Sequence, residues 1–241
     1  MRYAIFSDIH SNLEALQSVL AAYERERIDK YLCIGDIVGY AANPKECIKI
    51  IKDKKIITVA GNHDWAAAEK FNIEYFNPYA KAAVLWTKDN IDEHDTDYLN
   101  NLDLIYTEDD FCLAHGTLFN PGDFDYIYDI SDARDSFKIM DASVCFVGHT
   151  HISGNFIKDG NEITYNRNNV VKIEPQKQYI VNVGSVGQPR DRDNRACFCI
   201  FDTKDKAVEI KRTDYNIRAA QKKIINAGLP LFLSERLESG Q

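Results

Sequence analysis

Five short segments carry residue types that bind divalent metal ions through nitrogen and oxygen: Asp8-Ile9-His10, Gly35-Asp36-Ile37-Val38-Gly39, Gly61-Asn62-His63-Asp64, Ala114-His115-Gly116 and Gly148-His149-Thr150-His151. Each follows an apolar run, where a strand ends and a loop begins. A lone histidine at such a place is usually a hydrogen-bonded core or rim residue. Five of the six histidines in ordered blocks, with three aspartates and an asparagine, point instead to a metal centre. In an extended segment residues i and i+2 face the same way, so Asp8 with His10, and His149 with His151, are expected to reach an ion in pairs. Asp36, between two glycines, offers a carboxylate that can span two cations about 3.5 Å apart, the spacing of two-metal hydrolytic sites. Asn62 adds a carbonyl oxygen and His115 an imidazole nitrogen. With no thiolate in the set, Mn, Fe or Zn is favoured over copper or an iron–sulfur cluster. The sixth histidine, His94, lies in the acidic run Asp92-Glu93-His94-Asp95 and reads as solvated surface.

A scaffold must gather these strand ends. Residues 2–6 form a short β-type run. Ser11 and Glu14 have capping-box spacing ahead of a helix whose Leu13, Leu16, Val19, Leu20 and Tyr23 share a face, running to about residue 26. Residues 31–34 read as a second strand, Asn43-Pro44-Lys45-Glu46 starts a helix with an Asn cap and Pro in first position, and residues 55–60 make a third strand. This alternation implies right-handed crossovers and a parallel sheet with its loops at the carboxyl ends, where the first three metal-type segments fall. Residues 65–102 read as mainly helical, either a packed insertion or a lid. Two buried-strand runs, 111–114 and 144–147, are separated by a loop at 117–129 and a helical pattern at 131–140. After His151 the texture turns to β: runs 155–158 and 162–165 flank the turn Asp159-Gly160, and 179–183, 196–201 and 207–212 continue a second, largely antiparallel set. An amphipathic helix at 217–227 is stopped by Gly228 and Pro230.

In this order D-x-H, G-D-x-x-G, G-N-H-D, a single His before Gly, and G-H-T-H resemble the signature blocks of the calcineurin-like metallophosphoesterase superfamily, over residues 8–151 with no ligand missing. The resemblance implies an α/β fold, a four-layer α/β/β/α sandwich of two mixed sheets spanning residues 1–241 as one domain. It implies a metal-dependent phosphoesterase in which Asp8, His10 and His151 hold a first metal ion, Asn62, His115 and His149 a second, and Asp36 both. The ions implied are divalent or trivalent, Mn or Fe foremost, with Zn, Ni or Co admissible. Water between two such ions is acidified toward neutrality, so that hydroxide can attack phosphorus in line. His63 matches the acid that protonates the leaving group, and Asp64 either orients His63 or caps the helix that follows.

Two further stretches, Gly39-Tyr40 running into Asn43-Pro44 and residues 184–191, are similar to segments of small prokaryotic phosphodiesterases and diadenosine polyphosphate hydrolases of that superfamily. Gly39, Tyr40, Tyr126 and Arg190 are therefore candidate substrate-binding residues. Arg190 can fork onto a second phosphate or sit in a tight surface turn. Tyr40, Phe119, Phe124, Tyr126 and Tyr128 can stack on a base or pack as core. The expected substrate is a small phosphodiester or dinucleoside polyphosphate. A phosphoprotein phosphatase and a catalytically silent metal-binding scaffold are the competing readings.

Composition narrows the partners. The chain has 241 residues, 45% hydrophobic, with 29 Lys and Arg against 37 Asp and Glu, a formal net charge of −8. That balance argues against long nucleic acid, whose phosphate backbone needs clustered cations. No signal peptide and no apolar run of about 18 residues is visible, so a cytoplasmic location without a membrane partner is expected. A homo-oligomer is allowed. Six cysteines without a CxxC pair read as buried, reduced thiols.

Overall fold

In the computed structural model, residues 1–108 and 110–241 are described. The apolar run Arg2–Phe6 forms β1, followed by α1 (Leu13–Tyr23), β2 (Lys30–Cys33), α2 (Pro44–Asp53) and a two-residue β3 (Ile57–Thr58). These three strands pair in parallel, as the alternation predicts. Three helices come next, α3 (Asn62–Ala67), α4 (Pro78–Asn90) and α5 (Glu93–Asn100), then β4 (Ile105–Glu108), β5 (Phe111–Ala114), α6 (Ile130–Ile139) and β6 (Val144–Val147). The remainder supplies β7 (Gly154–Asp159), β8 (Glu162–Asn166), β9 (Val170–Lys172), β10 (Lys177–Asn182), β11 (Ala196–Asp202), β12 (Ala207–Thr213), α7 (Ile217–Asn226) and α8 (Leu231–Ser239).

The strands form two six-stranded sheets, ordered β3-β2-β1-β11-β12-β9 and β4-β5-β6-β10-β7-β8. The late strands do not make a set of their own. β11 pairs antiparallel with β1, while β10 pairs parallel with β6 and antiparallel with β7, so both sheets are mixed. Hairpin signals identify which strands are neighbours in sequence, but a strand buried on both faces, such as β11, accepts either sheet as far as its own residues are concerned.

Side-chain alternation builds the layers. From β1, Tyr3 and Ile5 point between the sheets to meet Phe111, Phe146 and Val181, while Ala4 and Phe6 point outward to Leu16 and Val19 of α1. On the far side, Ala114, Cys145 and Ile180 lie under Ala133 and Phe137 of α6. The result is the α/β/β/α sandwich. All six cysteines are free and buried. Among the described residues no helix is long and apolar enough to cross a membrane.

Two local expectations change. Helix α1 is capped by Asn12, whose side chain accepts from the Ala15 N–H at 3.2 Å, because Ser11 sits at φ 57° in the turn before it. Asn43 makes no cap bond; its side chain is taken by Glu46 and Lys223. The helix expected at 217–227 forms as α7 and ends before Gly228, and α8 then begins at Leu231 and packs Leu233 and Leu237 in one cluster with Tyr40.

The loop after β1 is clamped from two sides, which is what places its side chains. Asp8, His10 and Ser11 donate their N–H groups to Gly35, Asp36 and Ile37 carbonyls at 3.0, 2.9 and 2.9 Å. From the other side, Val186 and Gly187 donate to Ser7 and Asp8 carbonyls at 2.9 Å each, and Ser185 Oγ donates to the Asp8 carbonyl at 2.8 Å. Gly187 approaches so closely that a Cβ there would collide with the Ile9 carbonyl oxygen. Gly187→Ala is expected to destabilise the fold by about 1–3 kcal/mol, the usual range for overpacking a tight site. Gly122→Ala, whose Cβ would meet only Leu104 at an ordinary 3.5 Å, should stay near wild type in the same urea titration.

Candidate metal centre

Every metal-type segment ends at one place, the carboxyl ends of β1, β2, β3, β5 and β6, where the two sheets abut. Asp8, His10, Asp36, Asn62, His63, His115, His149 and His151 are all buried there. Three overlapping groups have donor atoms within 4.8 Å of one another: Asp8 with His10 and His151, Asp36 with His115 and His149, and His10 with Asp36 and His63. The pairs do not form by the i, i+2 route. Asp8, His10, Asp36, His149 and His151 have φ of 55°, 49°, 52°, 66° and 60°, in the left-handed region. His149 and His151 consequently turn to different groups. Left-handed backbone at five non-glycine residues is unfavourable at roughly 1–3 kcal/mol each, and persists where surrounding structure over-determines it.

Hydrogen bonding determines which atoms face the centre. His10 Nδ1 lies 3.0 Å from the Val38 carbonyl oxygen, His115 Nδ1 2.7 Å from that of Ile34, and His151 Nδ1 2.6 Å from that of Gln188. A carbonyl only accepts, so each Nδ1 carries the proton, and in the neutral rings Nε2 turns a lone pair inward. Both aspartates divide their oxygens likewise. Asp8 Oδ2 accepts from the His149 N–H at 3.0 Å and Asp36 Oδ1 from the His63 N–H at 2.9 Å. Their other oxygens face the imidazoles: Asp8 Oδ1 is 3.2 Å from His151 Nε2, and Asp36 Oδ2 is 3.5 Å from His10 Nε2 and 3.3 Å from His115 Nε2.

Acceptors thus converge on acceptors. His10 Nε2 and His151 Nε2 are 3.0 Å apart, His115 Nε2 and His149 Nδ1 3.1 Å apart, and the buried Asp8 Oδ1 and Asn62 Oδ1 have no hydrogen-bond partner. Lone pairs held this close repel unless positive charge lies between them, and the N/O donor set suits a hard or borderline divalent ion. Of the five histidines at the centre, His115 alone is pushed toward its charged form. Burial opposes its charged form, yet Asp36 and Asp8 push its pKa up to about 9. Burial holds His10 and His149 well below the usual histidine range.

His63 packs its ring against Tyr40 at 4.5 Å and Phe76 at 5.2 Å, with its Nδ1 buried and unpartnered; burial pulls its pKa down to about 4. Gly39 permits this, because a Cβ there would come within 2.5 Å of His63 Nδ1. Asp64 is not placed to orient His63. Its oxygens accept from the Val38 N–H at 3.2 Å and the Gly61 N–H at 3.1 Å, which ties the Asp36 loop to the start of α3; burial, then the Asp36 charge, raises it to about 7.

A cavity of about 380 Å³ opens beside His63 and Asn62, walled by Phe71 and Phe76 from the segment before α4 and by Phe124 and Tyr126 from the loop after β5. Phe71 and Phe76 lay in a stretch legible only as helical. Tyr126 is less free than a base platform requires, for its ring stacks on His149 at 3.8 Å and on Tyr128 at 5.0 Å. Phe119 stays exposed away from this cavity. Arg190 lies with its guanidinium 5.6 Å from the centre of the Tyr40 ring. His94 is removed from the centre, in a surface depression with Lys45, Lys49 and Lys52.

A two-sheet α/β sandwich with Asp, Asn and His converging at its strand ends defines the metallophosphoesterase class of architecture. The calcineurin-like phosphoesterase superfamily domain matches residues 1–206, and the chain belongs to that superfamily of metal-dependent phosphoesterases. An uncharacterized protein of Methanocaldococcus jannaschii is 41% identical over 243 residues, covering 99% of this chain and 98% of its own. A crystallised metallophosphoesterase of Sphaerobacter thermophilus is 36% identical, with 100% and 99% of the two chains covered and a TM-score of 0.89. A Pyrococcus horikoshii protein shares the fold at a TM-score of 0.81 with 19% identity, over 100% and 98% of the chains.

A ligand that binds only the folded state raises its stability, by about 2.7 kcal/mol at a hundredfold excess over Kd. Manganese added to chelator-treated protein is therefore expected to raise Tm by several degrees, and Asp36→Asn to abolish most of that rise in differential scanning fluorimetry.

Proposed function

We propose that the chain is a dinuclear-metal hydrolase of small phosphodiesters or dinucleoside polyphosphates. The observation that carries this reading is Asp36 Oδ2, a single oxygen within 3.5 Å of His10 and 3.3 Å of His115, at the junction of the two ligand groups. Asp8, His10 and His151 would hold one ion, Asn62, His115 and His149 the other, and Asp36 both, with Mn or Fe as the preferred pair. Such ions supply Lewis acidity, charge neutralisation at phosphate and a water of lowered pKa. The protein's own groups do the rest. Nδ1–H bonds to Val38, Ile34 and Gln188 hold three imidazoles in the tautomer that presents Nε2. The backbone N–H groups of His149 and His63 each fix one oxygen of Asp8 and Asp36. His63, which faces the cavity from the first turn of α3 and is held by Tyr40 and Phe76, would give a proton to the departing oxygen. The aromatic cavity next to it suits a nucleoside on that oxygen better than the extended peptide of a phosphoprotein.

With His63 as acid and not as ligand, His63→Ala should retain the wild-type metal content by elemental analysis. It should lose roughly 10²- to 10⁴-fold in kcat on an alkyl phosphodiester, the usual contribution of a positioned acid, and far less on bis(p-nitrophenyl) phosphate, whose leaving group needs no proton. An equal loss on both would remove His63 from this role. Asn62→Ala is expected to bind about one ion where the wild type binds two.

A further inference from the structure

The four imidazoles that converge as ligands on the candidate centre do not all present the same edge. His10, His115 and His151 spend Nδ1–H on backbone carbonyls and turn Nε2 inward. His149 is turned the other way: its Nδ1 lies 3.1 Å from His115 Nε2, inside the group that also holds Asp36. The two nitrogens of an imidazole point in divergent directions, so His149 Nε2 faces out of the centre. It has no hydrogen-bond partner among the described residues, and unlike the unpartnered Nδ1 of His63 it is not sealed from solvent. The open space that His149 lines is the cavity of about 380 Å³ shared with His63 and Asn62.

Chemistry decides where the His149 proton sits. Its Nδ1 faces other lone pairs and would give its own to a cation, so the neutral ring carries its proton on Nε2. Metal-ligating histidines ordinarily donate their second ring N–H to a carboxylate or a backbone carbonyl, as the other three do. His149 has no such acceptor, and its N–H is left over at the cavity wall. The ring is nevertheless held in place. The His149 backbone N–H donates to Asp8 Oδ2 at 3.0 Å, and on either side of it the Gly148 carbonyl and the Thr150 hydroxyl accept from Asn182 Nδ2 at 2.7 and 2.9 Å. Tyr126 lies flat on the imidazole, with ring centres 3.8 Å apart and planes 11° apart, and is itself backed by Tyr128 at 5.0 Å. The face of the ring is covered while its outer edge stays open, which aims the N–H instead of hiding it.

We infer that His149 has a second role beside ligation: its Nε2–H is a hydrogen-bond donor to a phosphate oxygen of the substrate in the cavity, and Tyr126 is the positioning residue that fixes its aim. This rests on the phosphoesterase reading above and deepens it by naming a residue that binds the phosphate. A phosphate oxygen is an anionic acceptor, the partner for which an N–H donor forms its shorter and stronger bonds. The proton stays on Nε2 throughout, so the contact orients the phosphate and takes no part in proton transfer.

The test uses the full chain loaded with zinc, which is diamagnetic, and labelled with heavy nitrogen in its histidines. Long-range proton–nitrogen correlation should show His149 protonated at Nε2 and His10, His115 and His151 at Nδ1. Titration with inorganic phosphate should move the His149 Nε2–H resonance downfield by more than any of the three Nδ1–H resonances. Tyr126→Ala should keep the zinc content of the wild type yet bind phosphate roughly tenfold or more weakly by calorimetry. Tyr126→Phe, which retains the stacked ring, should bind it as the wild type does. A His149 proton on Nδ1, a resonance unmoved at saturating phosphate, or undiminished phosphate affinity in Tyr126→Ala overturns the inference. So does a Tyr126→Ala variant that loses zinc together with phosphate, since the stack would then serve ligation alone. Turnover of bis(p-nitrophenyl) phosphate, measured alongside, reports on the phosphoesterase reading separately: its absence with the His149 shift intact defeats that reading and supports the phosphate contact.

Discussion

Burying acceptors against acceptors is the constraint that the rest of the structure answers. Asp8, Asp36, His10, His115, His149 and His151 lose nearly all contact with water, yet their donor atoms face one another instead of hydrogen-bond donors. In an apolar interior such an arrangement opposes folding unless cations compensate it. The fold therefore spends much of its local order on holding these groups against repulsion. Backbone carbonyls of Ile34, Val38 and Gln188 orient the rings, backbone amides of His63 and His149 hold the carboxylates, and glycines 39, 61 and 187 allow neighbouring segments to close in.

The two-sheet plan explains why this is possible. Parallel strands bring their carboxyl ends to one rim, so loops far apart in sequence meet without crossing. β1 and β2 contribute Asp8, His10 and Asp36 from one sheet, and β5 and β6 contribute His115, His149 and His151 from the other. The apolar layer of Tyr3, Ile5, Phe111, Phe146 and Val181 fixes the sheets against each other. The geometry of the centre is thus as rigid as the packed core beneath it, which is the condition for electrostatic preorganisation. The cavity beside His63 is walled by less regular parts of the chain, the segment before α4 and the loop after β5.

The metal-type residues were legible because their chemistry is local. A short block at the end of an apolar run carries both the donor and the glycine that lets the backbone turn, and five such blocks in order are hard to produce by chance. The rule used to pair them did not hold. Asp8 and His10 meet in one group through left-handed backbone instead of an extended segment, and His149 and His151 part for the same reason. Asp64 shows a similar limit. A carboxylate next to a histidine can orient it or cap a helix, and only the positions of Val38 N–H and Gly61 N–H show that the backbone takes it.

Residue order alone established the class of site, its N/O donors, and the alternating strands and helices that carry them, since each depends on neighbours within a few positions. It could not say that β11 joins β1 and β10 joins β6, because strand partners are chosen by surfaces buried on both faces. Nor could it show that Tyr126 stacks on His149, or that Leu233 and Leu237 of the last helix pack in one cluster with Tyr40. Those contacts join residues dozens of positions apart and leave no pattern in either segment. They exist because two packed sheets and the helices around them bring the loops at one rim within reach of each other.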